Sequence, residues 1–137
     1  EPNKRPRTTL TPGLAFRDGK PYMAFGSPGG DGQDQWALQL FLRHVHHGMN
    51  LQQSIEAPAY QTDHAPSSFY PRESKPGHLA VESRFDQAAI DGLKQRGHRV
   101  DVTGPWVIGR LSAVTQTDGL IKAGANPRTE QAYAIAR

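Results

Sequence analysis

The stretch that most constrains this chain is a run of nine residues, 26–34, that contains four glycines. We call it the glycine loop. An apolar run, residues 22–25, precedes it, and a long amphipathic run, residues 35–47, follows it. The pattern predicts a strand, a tight turn and a helix start in that order, because glycine lets the backbone turn sharply and approach another group closely. A helix start presents unpaired N–H groups and a positive dipole end, so the loop is suited to hold negative charge.

Several interpretations compete for the glycine loop. A plain strand-to-helix turn needs no function. A phosphate loop would end in Gly-Lys-Ser/Thr, and a dinucleotide fingerprint needs a different glycine spacing. A calcium site would need more oxygen ligands than Asp31 and Asp34 provide. An oxyanion hole fits better, because the successive N–H groups of Gly29 and Gly30 can converge on the oxygen of a tetrahedral intermediate.

Length and composition exclude several classes of protein. With 137 residues the chain is long enough for one domain, and we expect residues 1–137 to form a single domain portion without an internal boundary. The net charge is +3 and the basic residues are scattered, whereas a nucleic-acid site needs them clustered. The chain has no cysteine and no apolar run of membrane-spanning length. We therefore expect no nucleic-acid or membrane partner, and the compartment, cytoplasmic or periplasmic, stays open.

The predicted elements are hairpins and separate helices, which indicates an α+β fold with antiparallel strands and flanking helices. Prolines oppose a helix in residues 1–7, which we expect to be an extended leader. Turns with the sequence Asp-Gly at 18–19 and 118–119 predict two hairpins. Strands are expected over residues 8–11, 14–16, 22–25, 79–82, 98–103, 111–116 and 120–123, with short extended pieces at 59–63 and 68–70. Helices are expected over residues 35–47, 51–57 and 84–96, the last two capped by Asn50 and Ser83.

Two other groups of side chains are candidates for ligand binding. Thr8 and Thr9 are either ordinary strand residues or a pair of hydroxyls that bind a substrate carboxylate. Neither is a self-activating nucleophile, because such a threonine must begin a chain and use its own amine as base, and this chain begins with Glu1. His44 and His47 could share a metal ion, but no third ligand lies nearby in the sequence, so we expect no metal and no cofactor.

Seven motifs, in order along the chain, resemble the γ-glutamyltransferase family and, within it, the bacterial γ-glutamyltransferase-like branch. They are Arg-Pro-Arg-Thr-Thr-Leu-Thr-Pro at 5–12, Asp-Gly-Lys-Pro at 18–21, Gly-Ser-Pro-Gly-Gly at 26–30, His-Gly-Met-Asn-Leu at 47–51, Glu-Ala-Pro at 56–58, Gly-His-Arg-Val at 97–100 and Asn-Pro-Arg at 126–128. The third motif, with the helix that follows it, is the most specific. The resemblance therefore extends through nearly the whole chain.

The resemblance implies a fold, a maturation step and a reaction. The fold is the N-terminal-nucleophile hydrolase αββα sandwich, of which this chain would be the C-terminal part of the small subunit. The precursor would cleave itself and expose a threonine upstream of this chain, so the nucleophile would lie outside it. That threonine would take the acyl group of a γ-glutamyl amide and pass it to water or an amine. The expected partners are the upstream large-subunit chain, the start of the small subunit and a small-molecule γ-glutamyl substrate.

Carried over residue by residue, the resemblance places Gly29 and Gly30 in the oxyanion hole. It places Thr8 and Thr9 where the family has adjacent serines that hold the α-carboxylate of the γ-glutamyl group. Threonine adds a methyl group, and residues 31–34 also depart from the transpeptidase pattern, so a glutaryl-like acyl group is a further expectation. The alternative, from a different class, is a non-catalytic anion-binding module that uses the Gly29–Gly30 nest without acyl chemistry.

Overall fold

The computed structural model describes residues 1–5, 8–128 and 132–135, and these form two sheets with flanking helices. The strands are β1 (Gly13–Arg17), β2 (Lys20–Gly26), β3 (Tyr60–Thr62), β4 (His78–Glu82), β5 (Arg99–Thr103), β6 (Ser112–Thr117) and β7 (Leu120–Ala125). The helices are α1 (Gln33–Val45), α2 (Leu51–Glu56) and α3 (Gln87–Gln95). None of the described helices is long and apolar enough to cross a bilayer.

The first sheet has the strand order β1-β2-β6-β7 and is antiparallel throughout. Two hairpins build it, and each turns at an Asp-Gly pair in which both residues have positive φ: 51° and 74° at Asp18 and Gly19, 51° and 77° at Asp118 and Gly119. This geometry matches the right-handed twist of the flanking strands. Both predicted hairpins are confirmed.

The main core lies between the first sheet and the helices α1 and α2. Its buried members are Met23, Leu40, Leu51, Ile55, Leu111 and Ala113. The predicted amphipathic helix is confirmed as α1, and its start two residues earlier brings Gln33 into the first turn. The predicted cap of α2 is also confirmed: Asn50 Oδ1 accepts from the Gln53 N–H at 2.9 Å, and the Gln53 side chain accepts from the Asn50 N–H at 3.2 Å.

The second sheet has the order β3-β4-β5 and packs against α3. The pair β3–β4 is antiparallel, but β4 and β5 run parallel because α3 crosses over between them. Ser83 was predicted to cap α3, and this is wrong. The Ser83 N–H donates to the Thr103 carbonyl at 3.1 Å and so continues the sheet, while Asp86 accepts from the Ala88 N–H at 3.4 Å and starts the helix.

The strand predicted over residues 8–11 and the extended piece at 68–70 are absent from the described structure. The Leu10 N–H donates to Thr8 Oγ1 at 3.1 Å, and this local bond competes with strand pairing. Near the second segment, the Arg72 N–H donates to the Phe69 carbonyl at 2.6 Å and makes a turn. Of the predicted leader, residues 1–5 contain a turn at positions 2–3, and residues 6 and 7 lie outside the described part.

A buried carboxylate, Glu82 at the end of β4, joins several segments of the fold. Its side chain is fully buried. Oε1 accepts from the Ile108 N–H at 3.1 Å and from Arg128 Nε at 3.0 Å. Oε2 accepts from the Ala59 N–H at 3.1 Å and from Arg84 Nη2 at 2.5 Å. A single carboxylate thus connects the start of β3, the segment before β6 and the end of the first sheet.

The two arginines around Glu82 also donate hydrogen bonds to the carbonyl groups at the end of helix α2. Arg128 donates to the carbonyls of Ile55 at 2.8 Å and Ala57 at 3.1 Å. Arg84 donates to the carbonyl of Glu56 at 2.7 Å. The last carbonyls of a helix have no partner within it and carry partial negative charge, so cations stabilise them. Glu82 balances those cations in turn.

The protonation of Glu82 is linked to folding. Burial raises the pKa of this carboxyl, but the hydrogen bonds from Arg128, Ile108, Ala59 and Arg84 outweigh burial and lower the pKa from 4.5 to about 2. A pKa that folding lowers means that the charged form is stabilised in the native state. The contribution is complete above the unfolded pKa, and it is lost as the pH falls from about 4.5 to about 2.

Glu82→Gln in the complete protein is expected to lower the free energy of unfolding by about 3–5 kcal/mol near neutral pH, because it leaves buried Arg128 without a counter-charge. The variant should also lose the acid-dependent part of the stability, about 3 kcal/mol between pH 4.5 and pH 2. Urea unfolding at a series of pH values measures both effects. Glu73→Gln, at an exposed glutamate, is the matched control. Equal stability of the two variants near neutral pH would contradict the role of Glu82.

Candidate active site at the glycine loop

The glycine loop joins the end of β2 to the start of α1 and is folded back on its own backbone. Gly29 has φ +147°, a conformation that L side chains rarely adopt. The Gln33 N–H donates to the Gly30 carbonyl at 3.1 Å, and its buried side chain donates to the Ser27 carbonyl at 2.6 Å. These bonds occupy carbonyl groups of the loop. Within the described part of the chain, neither the Gly29 N–H nor the Gly30 N–H has an acceptor.

The indole of Trp36 packs directly under the loop, and the glycines make this possible. A Cβ atom would lie 2.7 Å from the ring at Gly29 and 2.5 Å from it at Gly32. On another side, a Cβ at Gly109 would lie 3.3 Å from Trp36 Cγ. Trp36 Nε1 donates to Gln61 Oε1 at 3.2 Å, which fixes the ring. Trp36 lies in the amphipathic run that predicted a helix, whereas its role as support for the glycine loop depends on tertiary contacts.

Residues 63–77, which we call the covering loop, lie against the glycine loop. Asp31 Oδ2 accepts from Ser67 Oγ at 2.9 Å and from the Ser68 N–H at 2.8 Å. Hydrogen bonds from the Ser68 side chain, then from the Ser68 N–H and from Ser67, lower the pKa of Asp31 below its ordinary value. The ring of Phe69 would be 3.2 Å from a Cβ at Gly30. Asp31, considered above only as a calcium ligand, holds the covering loop with its side chain.

The covering loop is anchored at both ends. The Lys75 N–H donates to the Asp63 carbonyl at 2.7 Å. His78, buried at the start of β4, has Nδ1 3.1 Å from Asp63 Oδ2 and Nε2 2.8 Å from Asp101 Oδ2. This Asp-His-Asp arrangement was not predicted, since its members lie far apart in the sequence. The Nε2 bond joins β4 to β5, whereas Nδ1 makes no hydrogen bond with any described residue and only lies beside the first residue of the covering loop.

A cleft of about 370 Å³ opens between the two loops and residues 8–11. It is lined by Thr8, Thr9, Thr11, Gly30, Asp31, Gln33, Asp34, Ser68, Phe69 and Arg72. Gly29 lines a neighbouring cleft that shares Thr9. The structure therefore brings Thr8 and Thr9 close to the glycine loop, although some twenty residues separate them in the sequence. The oxyanion-hole role of Gly29 and Gly30 and the carboxylate-binding role of Thr8 and Thr9 stay predictions.

The two histidines considered for metal binding lie at the far end of α1. His44 Nε2 lies 2.9 Å from the Tyr22 hydroxyl, and Nδ1 lies 2.8 Å from the Met49 carbonyl oxygen, so both ring nitrogens have protein partners. His47 lies just after the helix. Among residues 1–5, 8–128 and 132–135, no group of three or more His, Cys, Asp or Glu side chains is arranged to hold a metal ion.

Comparison with known proteins identifies the family. The Gamma-glutamyltranspeptidase family model matches residues 1–136. The glutathione hydrolase-like YwrD proenzyme of Bacillus subtilis is 33% identical over 135 residues, which is 96% of this chain and 25% of that protein. The chain thus spans about a quarter of the length of this curated relative. The solved structure of LmbA2991HD is 50% identical, with a TM-score of 0.90 over 100% of this chain and 25% of that one.

A more distant structure shows the fold. The γ-glutamyltranspeptidase of Pseudomonas nitroreducens complexed with L-DON has a TM-score of 0.75 at 19% identity and covers 100% of this chain and 67% of that one. The two sheets and their helices are thus a portion of the N-terminal-nucleophile hydrolase fold. The chain belongs to the γ-glutamyltranspeptidase family. The fold and the family predicted from the sequence are confirmed.

Gly32→Ala is expected to lower the free energy of unfolding by about 1–3 kcal/mol, because its Cβ would lie 2.5 Å from Trp36 Cζ2 and force the ring or the loop to move. Urea unfolding of the complete protein measures the change. Gly26→Ala is the matched control, since its Cβ would lie 4.0 Å from the nearest atom, the Thr11 carbonyl oxygen. If both variants are equally stable, the packing of Trp36 does not require glycine at position 32.

Proposed function

We propose that this chain is part of a γ-glutamyltransferase-like amidohydrolase or acyltransferase and supplies its oxyanion hole and carboxylate-binding hydroxyls. The observation that carries the proposal is the pair of N–H groups at Gly29 and Gly30, which have no acceptor among the described residues and lie beside the start of α1. The nucleophile is a threonine at the beginning of the mature subunit, upstream of Glu1. The substrates are γ-glutamyl amides or amides of a glutaryl-like acid.

The proposed reaction has two stages. The threonine hydroxyl adds to the amide carbonyl carbon while the free amine of the same residue takes its proton. The carbonyl oxygen becomes an oxyanion, to which Gly29 and Gly30 donate hydrogen bonds. The C–N bond then breaks, the amine leaves with the proton, and an ester joins the acyl group to the threonine. Water or a second amine attacks this ester and regenerates the hydroxyl.

The surroundings of Gly29 and Gly30 support this role. Donors that are fixed before the reaction stabilise developing charge most effectively, because no reorganisation accompanies the chemical step. Here the Trp36 ring under Gly29 and the Phe69 ring beside Gly30 restrict the loop on two sides. The start of α1 adds positive potential from its dipole. An oxyanion beside Gly29 and Gly30 would be stabilised both by the fixed N–H donors and by the dipole of α1.

The two threonines suit the carboxylate of the acyl group. Both line the cleft that reaches Gly30. Thr8 Oγ1 already accepts a hydrogen bond from the Leu10 N–H, so its own proton is available to a ligand. Hydroxyls that bind a carboxylate would place the scissile amide at a fixed distance from the glycine loop. This arrangement favours an acidic acyl donor over a neutral one.

The complete gene product is expected to contain two chains after maturation, the smaller beginning with threonine and including residues 1–137. It should hydrolyse a γ-glutamyl p-nitroanilide, whereas residues 1–137 alone should not. Intact-mass measurement, N-terminal sequencing and release of p-nitroaniline test these statements. One uncleaved chain that binds glutarate without hydrolysing any amide would instead favour the anion-binding module.

Gly30→Val in the complete enzyme is expected to lower kcat by roughly 100- to 1,000-fold with a smaller change in KM, because it displaces a donor that acts mainly in the transition state. Steady-state kinetics with the anilide measures both constants. The double variant Gly30→Val/Phe69→Ala removes the ring that a side chain at position 30 would meet. If the double variant regains full turnover, steric conflict explains the loss and the oxyanion role is wrong.

A further inference from the structure

The peptide group that carries the Gly29 N–H is held by the hydroxyl of Ser27. Ser27 Oγ accepts from the Arg110 N–H at 3.3 Å and donates to the Pro28 carbonyl at 2.8 Å. A hydroxyl has a single proton, and here that proton is directed to the Pro28 carbonyl. In a planar trans peptide, the carbonyl and the following N–H point to opposite sides. The bond from Ser27 to the Pro28 carbonyl therefore sets the direction in which the Gly29 N–H points.

Pro28 restricts the same peptide group from its other side. The proline ring fixes the φ angle of residue 28, so its ψ angle is the dihedral that remains to turn the peptide between Pro28 and Gly29. The hydrogen bond from Ser27 restrains this ψ angle. Gly29 itself, with φ +147°, permits the geometry of the loop but does not impose it. The constraint on the Gly29 N–H thus comes from the residues before it.

Gln33 holds both ends of this segment. Its side-chain amide donates to the Ser27 carbonyl at 2.6 Å, and its backbone N–H donates to the Gly30 carbonyl at 3.1 Å. Gln33 is 5% exposed, so water has little access to compete for these bonds. One residue in the first turn of α1 thereby encloses positions 28–30. The loop engages three of its carbonyls internally and leaves its two glycine N–H groups without an acceptor in the described part of the chain.

We propose that Ser27 and Gln33 are positioning residues, which act through the loop backbone to keep the Gly29 N–H directed at the reacting carbonyl oxygen. The inference rests on the function proposed above and adds the two side chains that orient its donors. Electrostatic stabilisation depends on dipoles that are oriented before charge develops, so a donor free to turn away stabilises the oxyanion less. The ground-state carbonyl gains less from the same donor, and the loss should therefore appear in kcat rather than in KM.

The test is steady-state kinetics of the complete, matured enzyme with γ-glutamyl p-nitroanilide. Ser27→Ala is expected to lower kcat about tenfold and to change KM less than about twofold, because the donor is loosened and not displaced. Ser27→Thr keeps the hydroxyl and should restore most of the turnover. Gln33→Met keeps the length of the side chain but removes its donor, and should also lower kcat more than it changes KM. Thermal melting checks that each variant is folded.

Ser112→Ala is the matched control. Ser112 pairs with Gly26 beside the glycine loop, but its exposed hydroxyl has no hydrogen-bond partner among the described residues. This variant should leave kcat and KM unchanged. If Gly30→Val lowers kcat but Ser27→Ala does not, or if Ser27→Thr is as slow as Ser27→Ala, the positioning role is wrong and the oxyanion hole stands. If Gly30→Val also leaves kcat unchanged, the function proposed above fails instead.

Discussion

The carboxylate of Glu82 is the interaction on which the rest of this structure depends. A buried charge is tolerated only where hydrogen bonds and opposite charges compensate for the lost water. Here two guanidinium groups and two backbone N–H groups do so. The segment that includes Ile108 continues to Gly109, which packs on Trp36, and to Arg110, whose N–H donates to Ser27 Oγ at 3.3 Å. The cluster of Glu82, Arg84 and Arg128 is thus connected to the glycine loop through the two residues that follow Ile108.

The candidate site gains its rigidity from these remote contacts. The glycine loop has little side-chain mass of its own, so its neighbours determine its shape. Trp36 lies beneath it, Phe69 lies beside it and the side chain of Asp31 connects it to the covering loop. Glycines permit this close approach, and the surrounding side chains remove the freedom that glycine would otherwise have. A loop so enclosed is suited to present N–H groups in one fixed direction.

Features that depend on neighbouring residues could be predicted from the sequence. The two Asp-Gly turns, the amphipathic pattern of α1 and the capping box at Asn50 all have short-range causes, and the structure has each of them. The family motifs added the N-terminal-nucleophile hydrolase fold, which periodicity alone does not specify. The expected roles of Gly29, Gly30, Thr8 and Thr9 followed from their residue types and from that resemblance, and the structure shows only that these residues lie near one another.

Features that depend on distant residues could not be predicted. Glu82 read as the last residue of a strand, and its partner Arg128 lies 46 residues further along. Asp31 and Ser83 are good residues for a helix start, but tertiary hydrogen bonds engage both elsewhere. The strand expected at Thr8 gave way to a local side-chain bond. For Glu82, Asp31 and Ser83, a contact outside the local window decided the outcome.

The position of Arg128 has a consequence for how the polypeptide acquires its shape during synthesis. Chains leave the ribosome from the N-terminus, so N-terminal segments are available for contacts before C-terminal ones. The partners of Glu82 that come first are Ala59 and Arg84, and the last, Arg128, emerges only after both hairpins of the first sheet are complete. Until then the buried carboxylate lacks one of its two cations. The segment that contains Arg128 thus completes this connection between the two sheets only after both hairpins have been synthesised.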